Sequence, residues 1–309
     1  VIKIRFMNKN NIIIGSRGSK LALIYAEKVK KALKEEFSKA IYIKKIVTSG
    51  DENQKDRLSN LGGKGMFSKK IENELLHKNI DLAVHALKDM PSIETKGLIT
   101  NYFLKRNFPN EILISKQNIK FEDLKPNSIV GTSSYRREYQ LKKKRSDLKY
   151  KLIRGNVDTR IKKLEDGEYD AILLSKAGVD ALQLNHKISQ EFKVEELIPC
   201  AGQGIVAVQC RKNDEVMQNL LEKINDDETR NIANVERQVL KILEGDCDTA
   251  IGVYASIEDQ NINLTTELFS VDGSERYFMK ESKVKNLTLE LGKYVGENLK
   301  LKSKGSYKR

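Results

Sequence analysis

The stretch that decides the fold is residues 12–47, IIIGSRGSKLALIYAEKVKKALKEEFSKAIYIKKIV. It begins with a short apolar run at 12–14 and ends with another at 41–47, and each run predicts a buried strand. Between them, apolar residues recur at helical spacing: Ala22, Ala26, Val29, Leu33 and Phe37. The stretch therefore predicts a strand, a helix and a second strand.

The same alternation continues beyond a long polar loop. Residues 49–65, SGDENQKDRLSNLGGKG, are long enough to predict a mobile or functional segment. Phe67, Ile71 and Leu75 then mark a second helix, and the apolar run DLAVHAL at 81–87 predicts a third strand. This β-α-β-α-β order favours a sheet covered by helices on both faces.

The pattern starts again in the middle of the chain. Strands are predicted at 111–114, 128–131 and 170–175, and a helix is predicted at 132–143. Residues 205–210 predict a strand that returns to the first sheet. We therefore expect a second α/β region inserted into the first.

The last third of the chain has a different order. Asn225 is predicted to begin a helix, with Glu228 three residues later as its capping-box partner. Strands follow at 251–256, 262–269 and 277–279. A closing helix is predicted from four apolar residues at helical spacing: Leu287, Leu291, Val295 and Leu299. This β-β-β-α order predicts a small antiparallel sheet with a helix packed on it.

Composition narrows the classes of function. The 309 residues fit two or three domains. The formal net charge of +13 attracts polyanions, although a solvated lysine-rich surface explains most of it. Three cysteines without CxxC spacing and three scattered histidines argue against a disulfide framework and against a metal site. Without a membrane-length apolar run or a signal-peptide core, we expect a soluble, cytoplasmic protein.

Four stretches place cations beside glycine and hydroxyl residues at predicted junctions between a strand and a helix. They are GSRGS at 15–19, GGKG at 62–65, GTSSYRR at 131–137 and RGNVDTR at 154–160. Helix N-termini bind anions, and arginine holds a carboxylate through two parallel hydrogen bonds. The spacings of a P-loop and of GxGxxG are both missing, so the sequence does not favour ATP or a dinucleotide as the ligand. A ligand with several carboxylates is favoured, although a capped helix beside a solvated arginine explains any one stretch taken alone.

Two short segments carry groups suited to chemistry. Lys88 and Asp89 follow a predicted buried strand, where α/β folds bind ligands, although a surface ion pair at a turn explains them equally well. A carboxylate among cations can act as an acid or base or stabilise a cationic intermediate. Cys247 lies in a polar loop and is the candidate reactive thiol, whereas Cys200 and Cys210 lie beside apolar residues and are predicted to be core.

Taken together, these segments resemble the porphobilinogen deaminase family, also called hydroxymethylbilane synthases, along nearly the whole chain. HALKDMP at 85–91, GTSSYRR at 131–137 and RGNVDTR at 154–160 are highly specific in combination. The other matching stretches, in chain order, are IGSRGSKLAL, LGGKGMFSKKIE, GEYDAILL, PCAGQGIVAVQCR and LEGDCDTAIGVY.

The resemblance implies an α/β fold with two similar domains of the two-lobed periplasmic-binding-protein type, which close over a cleft. It also implies a small α+β C-terminal domain, a three-stranded antiparallel sheet with helices. Domain 1 would comprise residues 1–104 and 205–222, domain 2 residues 105–204, and domain 3 residues 223–309. The expected state is a monomer.

The resemblance further implies a transferase of haem and porphyrin biosynthesis. Such an enzyme joins four porphobilinogen molecules head to tail into hydroxymethylbilane and releases ammonia. The product passes to uroporphyrinogen III synthase, and neither nucleic acid nor membrane is a partner. The cofactor is a dipyrromethane primer held through a thioether, by position to Cys247. Asp89 would be the catalytic residue, assisting proton transfer and stabilising cationic intermediates.

Further residues would bind the acetate and propionate groups of the pyrroles. The cofactor-binding set is Cys247, Lys88, Ser134, Arg136, Arg137, Arg154, Arg160 and Gln203. The substrate-binding set is Arg17, Ser19, Lys64, Arg154 and Arg160.

Some positions depart from the family's pattern. Asn60 stands where lysine is frequent, and Ala181 stands where some members have arginine, with Lys176 nearby as a substitute. Asp246 and Asp248 flank the cysteine and would tend to raise its pKa, which would slow cofactor loading.

Two rival functions come from other classes. A non-enzymatic two-lobed binding protein explains the anion sites but neither Cys247 nor Asp89. A nucleic-acid binder is supported only by the charge of +13, because the sequence has no recognition module and no interleaved basic and aromatic pattern.

Overall fold

The computed structural model describes residues 11–48, 65, 67–246 and 248–308. These residues form two compact units. The first contains the described residues up to Arg106 together with Ile205–Asn231, and the second contains Asn107–Gly204 and the described residues from Ile232 onward. Apart from Gly65, the long polar loop from residue 49 to 65 lies outside the described residues.

A five-stranded mixed sheet is the frame of the first unit. Its strands, numbered along the whole chain, are β1 (Asn11–Arg17), β2 (Ala40–Ile46), β3 (Leu82–Ala86), β4 (Leu98–Phe103) and β10 (Val206–Arg211). Their order is β2-β1-β3-β10-β4. β1 pairs in parallel with β2 and β3, whereas β10 runs antiparallel to β3 and β4. The predicted return of residues 205–210 to the first sheet is therefore confirmed.

Of the three described helices of the first unit, the first two follow the predicted apolar pattern and the third was not predicted. They are α1 (Lys20–Glu36), α2 (Lys69–Leu76) and α6 (Glu215–Ile224). Ala26, Val29 and Leu33 on α1 are fully buried. The side chain of Ser19 caps this helix by accepting a hydrogen bond from the backbone N–H of Ala22 at 3.3 Å. The cap fixes the point at which β1 turns into α1.

The second unit repeats the frame of the first. Its five-stranded sheet contains β5 (Glu111–Ser115), β6 (Ile129–Gly131), β7 (Lys149–Lys151), β8 (Ala171–Ser175) and β9 (Gln190–Glu191). Their order is β7-β6-β8-β5-β9. β6 is parallel to β7 and β8, and β5 is antiparallel to β8 and β9, which is the pairing pattern of the first sheet. The helices are α3 (Tyr135–Lys142), α4 (Val157–Glu165) and α5 (Lys176–Ala181).

A three-stranded antiparallel sheet completes the second unit. It is formed by β11 (Ile251–Glu258), β12 (Asn261–Phe269) and β13 (Arg276–Val284), in that order. Buried side chains of α7 (Asp227–Leu243) and α8 (Thr288–Ser303) share one hydrophobic core with it. This arrangement confirms the predicted β-β-β-α order and the α/β fold class. The predicted domain boundaries stay a prediction.

The predicted helix start at Asn225 is wrong. The helix begins at Asp227, and Asp226 caps it by accepting a hydrogen bond from the backbone N–H of Thr229 at 2.8 Å. Asn225 instead accepts a hydrogen bond from the backbone N–H of Phe103 at 2.9 Å. Its side chain is therefore engaged in a tertiary contact that local sequence does not reveal. In the described part of the chain, no helix is long and apolar enough to cross a membrane.

Candidate active site

The first unit holds a pocket at the point where β1 and β3 lead into helical segments. It has a volume of about 460 Å³, including its solvent-filled mouth. Its lining includes Arg17, Ser19, Phe67, Ser68, His85 and Asp89. Neighbouring parallel strands end at the same edge of a sheet, so these side chains meet although they are distant in sequence. The pocket thus brings together Arg17 and Ser19, predicted to bind substrate, and Asp89, predicted to be catalytic.

Asp89 lies on the short 3-10 turn Leu87–Asp89 that follows β3. Its Oδ2 lies 3.9 Å from Arg17 Nη1, and the two side chains are 37% and 18% exposed. The Arg17 guanidinium also lies over the Phe67 ring, 4.1 Å from the ring centroid. A long, partly solvated ion pair is weak, so both groups can exchange it for contacts with a ligand. Asp89 therefore forms an ion pair with another residue of the pocket.

His85 is a pocket residue that the sequence did not identify. It lies on β3 and is 7% exposed. The pKa of the imidazole is lowered to about 4: burial is the main cause, the Gln209 side chain opposes it, and the positive charge of Arg17 adds to it. The ring is neutral at physiological pH as a result. The one sign of it in the sequence is a histidine within the apolar run DLAVHAL at 81–87.

In the second unit, Arg136 and Arg137 converge on one carboxylate. Arg136 Nη2 lies 2.6 Å from Glu111 Oε1, and Arg137 Nη2 lies 2.6 Å from Glu111 Oε2. Glu111 is fully buried, and both arginines are buried as well. Arg136 also donates to the Ile198 carbonyl, and Arg137 donates to the Leu173 carbonyl. Much of the donor capacity of these two predicted cofactor-binding arginines is therefore used inside the protein.

Glu111 is a further residue of this cluster that was not predicted. It stands at the start of the apolar strand EILIS, and a lone charge in such a strand is a signal for a buried ion pair. Its cationic partners could not be chosen among 56 lysines and arginines from sequence alone.

Two of the four predicted anion sites lie in the second unit where a strand leads into a helix. Ser134 caps α3 by accepting a hydrogen bond from the backbone N–H of Arg137 at 3.4 Å. Arg154 is half-buried and precedes Gly155, whose φ is +113°, a conformation that favours glycine. Arg160 Nε donates to the Gly155 carbonyl at 2.8 Å, so this turn is tied to the first turn of α4.

Gln203 is fully buried in the second unit. Its Nε2 donates to the Pro109 carbonyl at 2.7 Å, and its Oε1 lies 3.6 Å from the thiol of Cys200. Cys200 is half-buried. The contact with Pro109 ties together the two segments at which the chain enters and leaves this unit.

Cys247 and Lys64 lie outside the described residues, as does Asn60. Beside Cys247, the backbone N–H of Asp248 donates to Asp246 Oδ1 at 3.0 Å. Cys210 is buried as predicted, and burial raises the pKa of its thiol to about 12.

The comparisons with known proteins agree with these motifs. Residues 12–219 match the family model described as porphobilinogen deaminase, dipyromethane cofactor binding domain. Residues 231–301 match the family model described as porphobilinogen deaminase, C-terminal domain. The chain belongs to the porphobilinogen deaminase family. The family resemblance inferred from the sequence motifs is thereby confirmed.

Curated relatives in this family match most of the chain. The porphobilinogen deaminase of Geobacillus kaustophilus (strain HTA426) is 41% identical over 269 residues, which cover 86% of this chain and 87% of the relative. The porphobilinogen deaminase of Staphylococcus aureus (strain Newman) is 40% identical over 299 residues, 96% of each chain. Family membership implies an enzyme, in general terms a transferase of porphyrin biosynthesis.

Solved structures outside the family align more distantly. A periplasmic domain of Bordetella pertussis BvgS aligns with a TM-score of 0.46 and 11% identity over 72% of this chain and 90% of that chain. An ancestral cationic amino acid solute binding protein aligns with a TM-score of 0.44 and 15% identity over 74% of this chain and 95% of that chain.

Proposed function

We propose that this protein condenses four porphobilinogen molecules stepwise, head to tail, into hydroxymethylbilane, with release of ammonia. The observation that carries the proposal is the Arg17–Asp89 pair in the pocket of the first unit, in a chain of this family. A cation and a carboxylate in one partly exposed pocket suit a substrate that carries carboxylates and a basic amine.

Asp89 is the proposed catalytic residue. Loss of ammonia from the substrate leaves a positive charge on the pyrrole ring, and a fixed carboxylate nearby lowers the energy of that cation. The same carboxylate can accept a hydrogen bond from a pyrrole N–H and assist removal of the ring proton after coupling. Arg17 and Ser19 line the same pocket and would hold the carboxylates of the incoming ring, with Lys64 as a third proposed contact.

The proposed cofactor is dipyrromethane, joined to Cys247 through a thioether. It supplies the free pyrrole α-carbon to which the first substrate is added. Its acetate and propionate groups need cationic and hydroxyl donors, and the second unit offers such donors at two junctions between strand and helix. The proposed contacts there are Ser134, Arg136, Arg137, Arg154, Arg160 and Gln203, together with Lys88 of the first unit.

These contacts are not equally accessible. Arg154 and Arg160 are half-buried, whereas Arg136 and Arg137 are buried and paired with Glu111. We therefore assign the direct contacts with ligand carboxylates first to Arg154 and Arg160. Arg136 and Arg137 would contribute through the donor capacity that Glu111 and the backbone carbonyls do not use.

Further parts of the proposal concern the protein as a whole. We propose three domains, residues 1–104 with 205–222, 105–204 and 223–309, of which the third carries the cofactor cysteine. We also propose a cytoplasmic monomer that delivers its product to uroporphyrinogen III synthase.

The test is turnover of porphobilinogen by the purified full chain. Ammonia release and hydroxymethylbilane formation should occur in the wild type, and Asp89→Asn should lower turnover on the order of a hundredfold with a smaller change in KM. The matched control is Asp123→Asn, because Asp123 is an exposed aspartate of the second unit. A folded wild type that binds porphobilinogen without releasing ammonia would support the rival binding protein.

A further inference from the structure

The inner wall of the pocket carries buried polar atoms that lack a partner. Within the described chain, Ser68 Oγ and His85 Nε2 are buried without a hydrogen-bond partner of normal geometry. Ser68 is 1% exposed, and both Ser68 and His85 line the pocket. Buried polar groups are rarely left unpaired, so this cluster points to a bound polar group.

The state of the imidazole follows from its neighbour Gln209. The carboxamide nitrogen of Gln209 donates to Glu72 Oε1 at 3.1 Å and to Thr100 Oγ1 at 3.2 Å, so the remaining Oε1 can only accept. The interaction with Gln209 raises the pKa of His85, as expected when a ring N–H points toward that oxygen. Gln209 Oε1 has no hydrogen bond of normal geometry, and as an acceptor it can serve only one ring N–H. The other nitrogen therefore keeps its lone pair and can accept a hydrogen bond from a ligand.

Charge is distributed unevenly over this pocket. Arg17 and Asp89 carry the charges, while Ser68 is neutral and His85 is held neutral because burial outweighs the effect of Gln209. The inner wall thus offers acceptors without a negative charge. At the free ring nitrogen a ligand N–H fits better than a carboxylate, which would meet a lone pair instead of a donor, and the Ser68 hydroxyl can accept from the same ligand group.

We infer, on the basis of the function proposed above, that His85 and Ser68 bind the aminomethyl nitrogen of the substrate, the group that leaves as ammonia. In that step the bond between the methylene carbon and the ammonium nitrogen breaks, and its electron pair stays on nitrogen. The pyrrole nitrogen supplies the electron pair of the new exocyclic double bond, and the positive charge moves from the ammonium group to the ring. Neutral NH₃ leaves with its three protons.

Neutral acceptors suit this movement of charge. A second carboxylate beside the ammonium would stabilise the reactant more than the transition state, because the charge leaves that nitrogen as the bond breaks. Such a carboxylate would therefore slow the step. His85 and Ser68 can hydrogen-bond to the ammonium and to ammonia alike. Asp89, by contrast, favours the cation that forms on the ring. The pocket therefore orients the leaving group at one wall and stabilises the product cation elsewhere.

The experiment compares His85→Phe, His85→Gln and Ser68→Ala in the cofactor-loaded full chain. His85→Phe should raise KM for porphobilinogen about tenfold, the effect of one lost hydrogen bond, with a smaller change in kcat. His85→Gln keeps an acceptor and should recover most of the loss. Ser68→Ala should raise KM about threefold or more. The control is His77→Phe, because His77 is exposed at the end of α2.

A second ligand distinguishes the loss of a contact with the aminomethyl nitrogen from a change in the shape of the pocket. The probe is the same pyrrole with its acetate and propionate but with methyl in place of aminomethyl, measured as a competitive inhibitor. Its inhibition constant should be the same for wild type and His85→Phe, because it has no leaving nitrogen. Equal weakening of both ligands would overturn the inference, and so would a normal KM in loaded His85→Phe or loaded Ser68→Ala.

Melting temperature and intact mass are recorded for every variant. If His85→Phe fails to fold or to acquire the cofactor, a normal KM in cofactor-loaded Ser68→Ala still refutes the binding of the aminomethyl nitrogen at this wall. A wild type without ammonia release would instead remove the proposed function, so the two failures are distinguishable.

Discussion

Glu111 is the residue whose removal tests the structure of the second unit most severely. Its carboxylate is fully buried and lies 2.6 Å from a guanidinium nitrogen of both Arg136 and Arg137. Glu111→Gln keeps the size of the side chain and removes the charge. The substitution therefore leaves two buried cations without the anion that offsets their loss of hydration.

The magnitude follows from the burial. Breaking a buried ion pair by removing one partner costs about 3–5 kcal/mol, and here one carboxylate serves two cations. A unit of this size loses about 2–4 °C of melting temperature per kcal/mol, so Glu111→Gln should lower the melting temperature by roughly 6–20 °C. Glu165→Gln is the control, because its exposed pair with Lys187 at 2.8 Å should contribute less than about 1 kcal/mol.

The assay is thermal melting followed by circular dichroism, with urea unfolding to obtain the free energy of unfolding. A Glu111→Gln protein that melts within 1–2 °C of wild type, roughly the effect of an exposed pair, would refute the argument. In that case Arg136 and Arg137 would not depend on Glu111, and their full charge would be available to a ligand. The same measurement is needed before any loss of cofactor in Arg137→Leu is assigned to ligand binding.

Three further predictions concern single groups. Arg154→Leu should impair cofactor assembly or early chain growth, seen by mass spectrometry, because ligand carboxylates lose a charged partner; Lys302→Ala should change nothing, and equal effects would indicate binding by bulk charge. Asp89→Glu should retain more turnover than Asp89→Asn, because it keeps the charge; equal loss would point to geometry alone. The pKa of His85 is about 4 in the folded state and 6.5 for a freely solvated imidazole, so the unfolded chain binds a proton more readily than the folded chain. The stability of the folded state is therefore highest above pH 6.5 and decreases as the pH falls toward 4. The melting temperature of wild type should therefore fall more steeply over this range than that of His85→Gln, and parallel curves would contradict the assignment.

Much of the fold could be predicted because local pattern and tertiary position agree. The apolar runs around Ile14 and Val84 lie in buried strands, and the spacing along α1 puts its apolar face on the core. The strand β4 was missed, because ITNY interrupts its apolar run with polar residues. Its position is fixed by pairing with β10, more than 100 residues away in sequence.

The candidate site was only partly accessible from sequence. Motifs identified Arg17 and Asp89, because both lie at or just after the end of a predicted buried strand, where α/β folds bind ligands. They could not show that Arg136 and Arg137 share Glu111, since that contact joins a strand to a helix and depends on the tertiary fold. Nor could they show that His85 faces the pocket, because the side of a strand that faces a pocket is set by the elements packed on it.

The most direct test of the proposed function is the intact mass of the purified full chain. The protein should weigh more than its sequence by one dipyrromethane, the excess should map to Cys247, and Cys247→Ser should remove it. Cys200→Ser and Cys210→Ser are the matched controls and should keep the excess mass. A mass equal to that of the bare chain, or an excess that maps to Cys200 or Cys210, would contradict the proposed covalent cofactor.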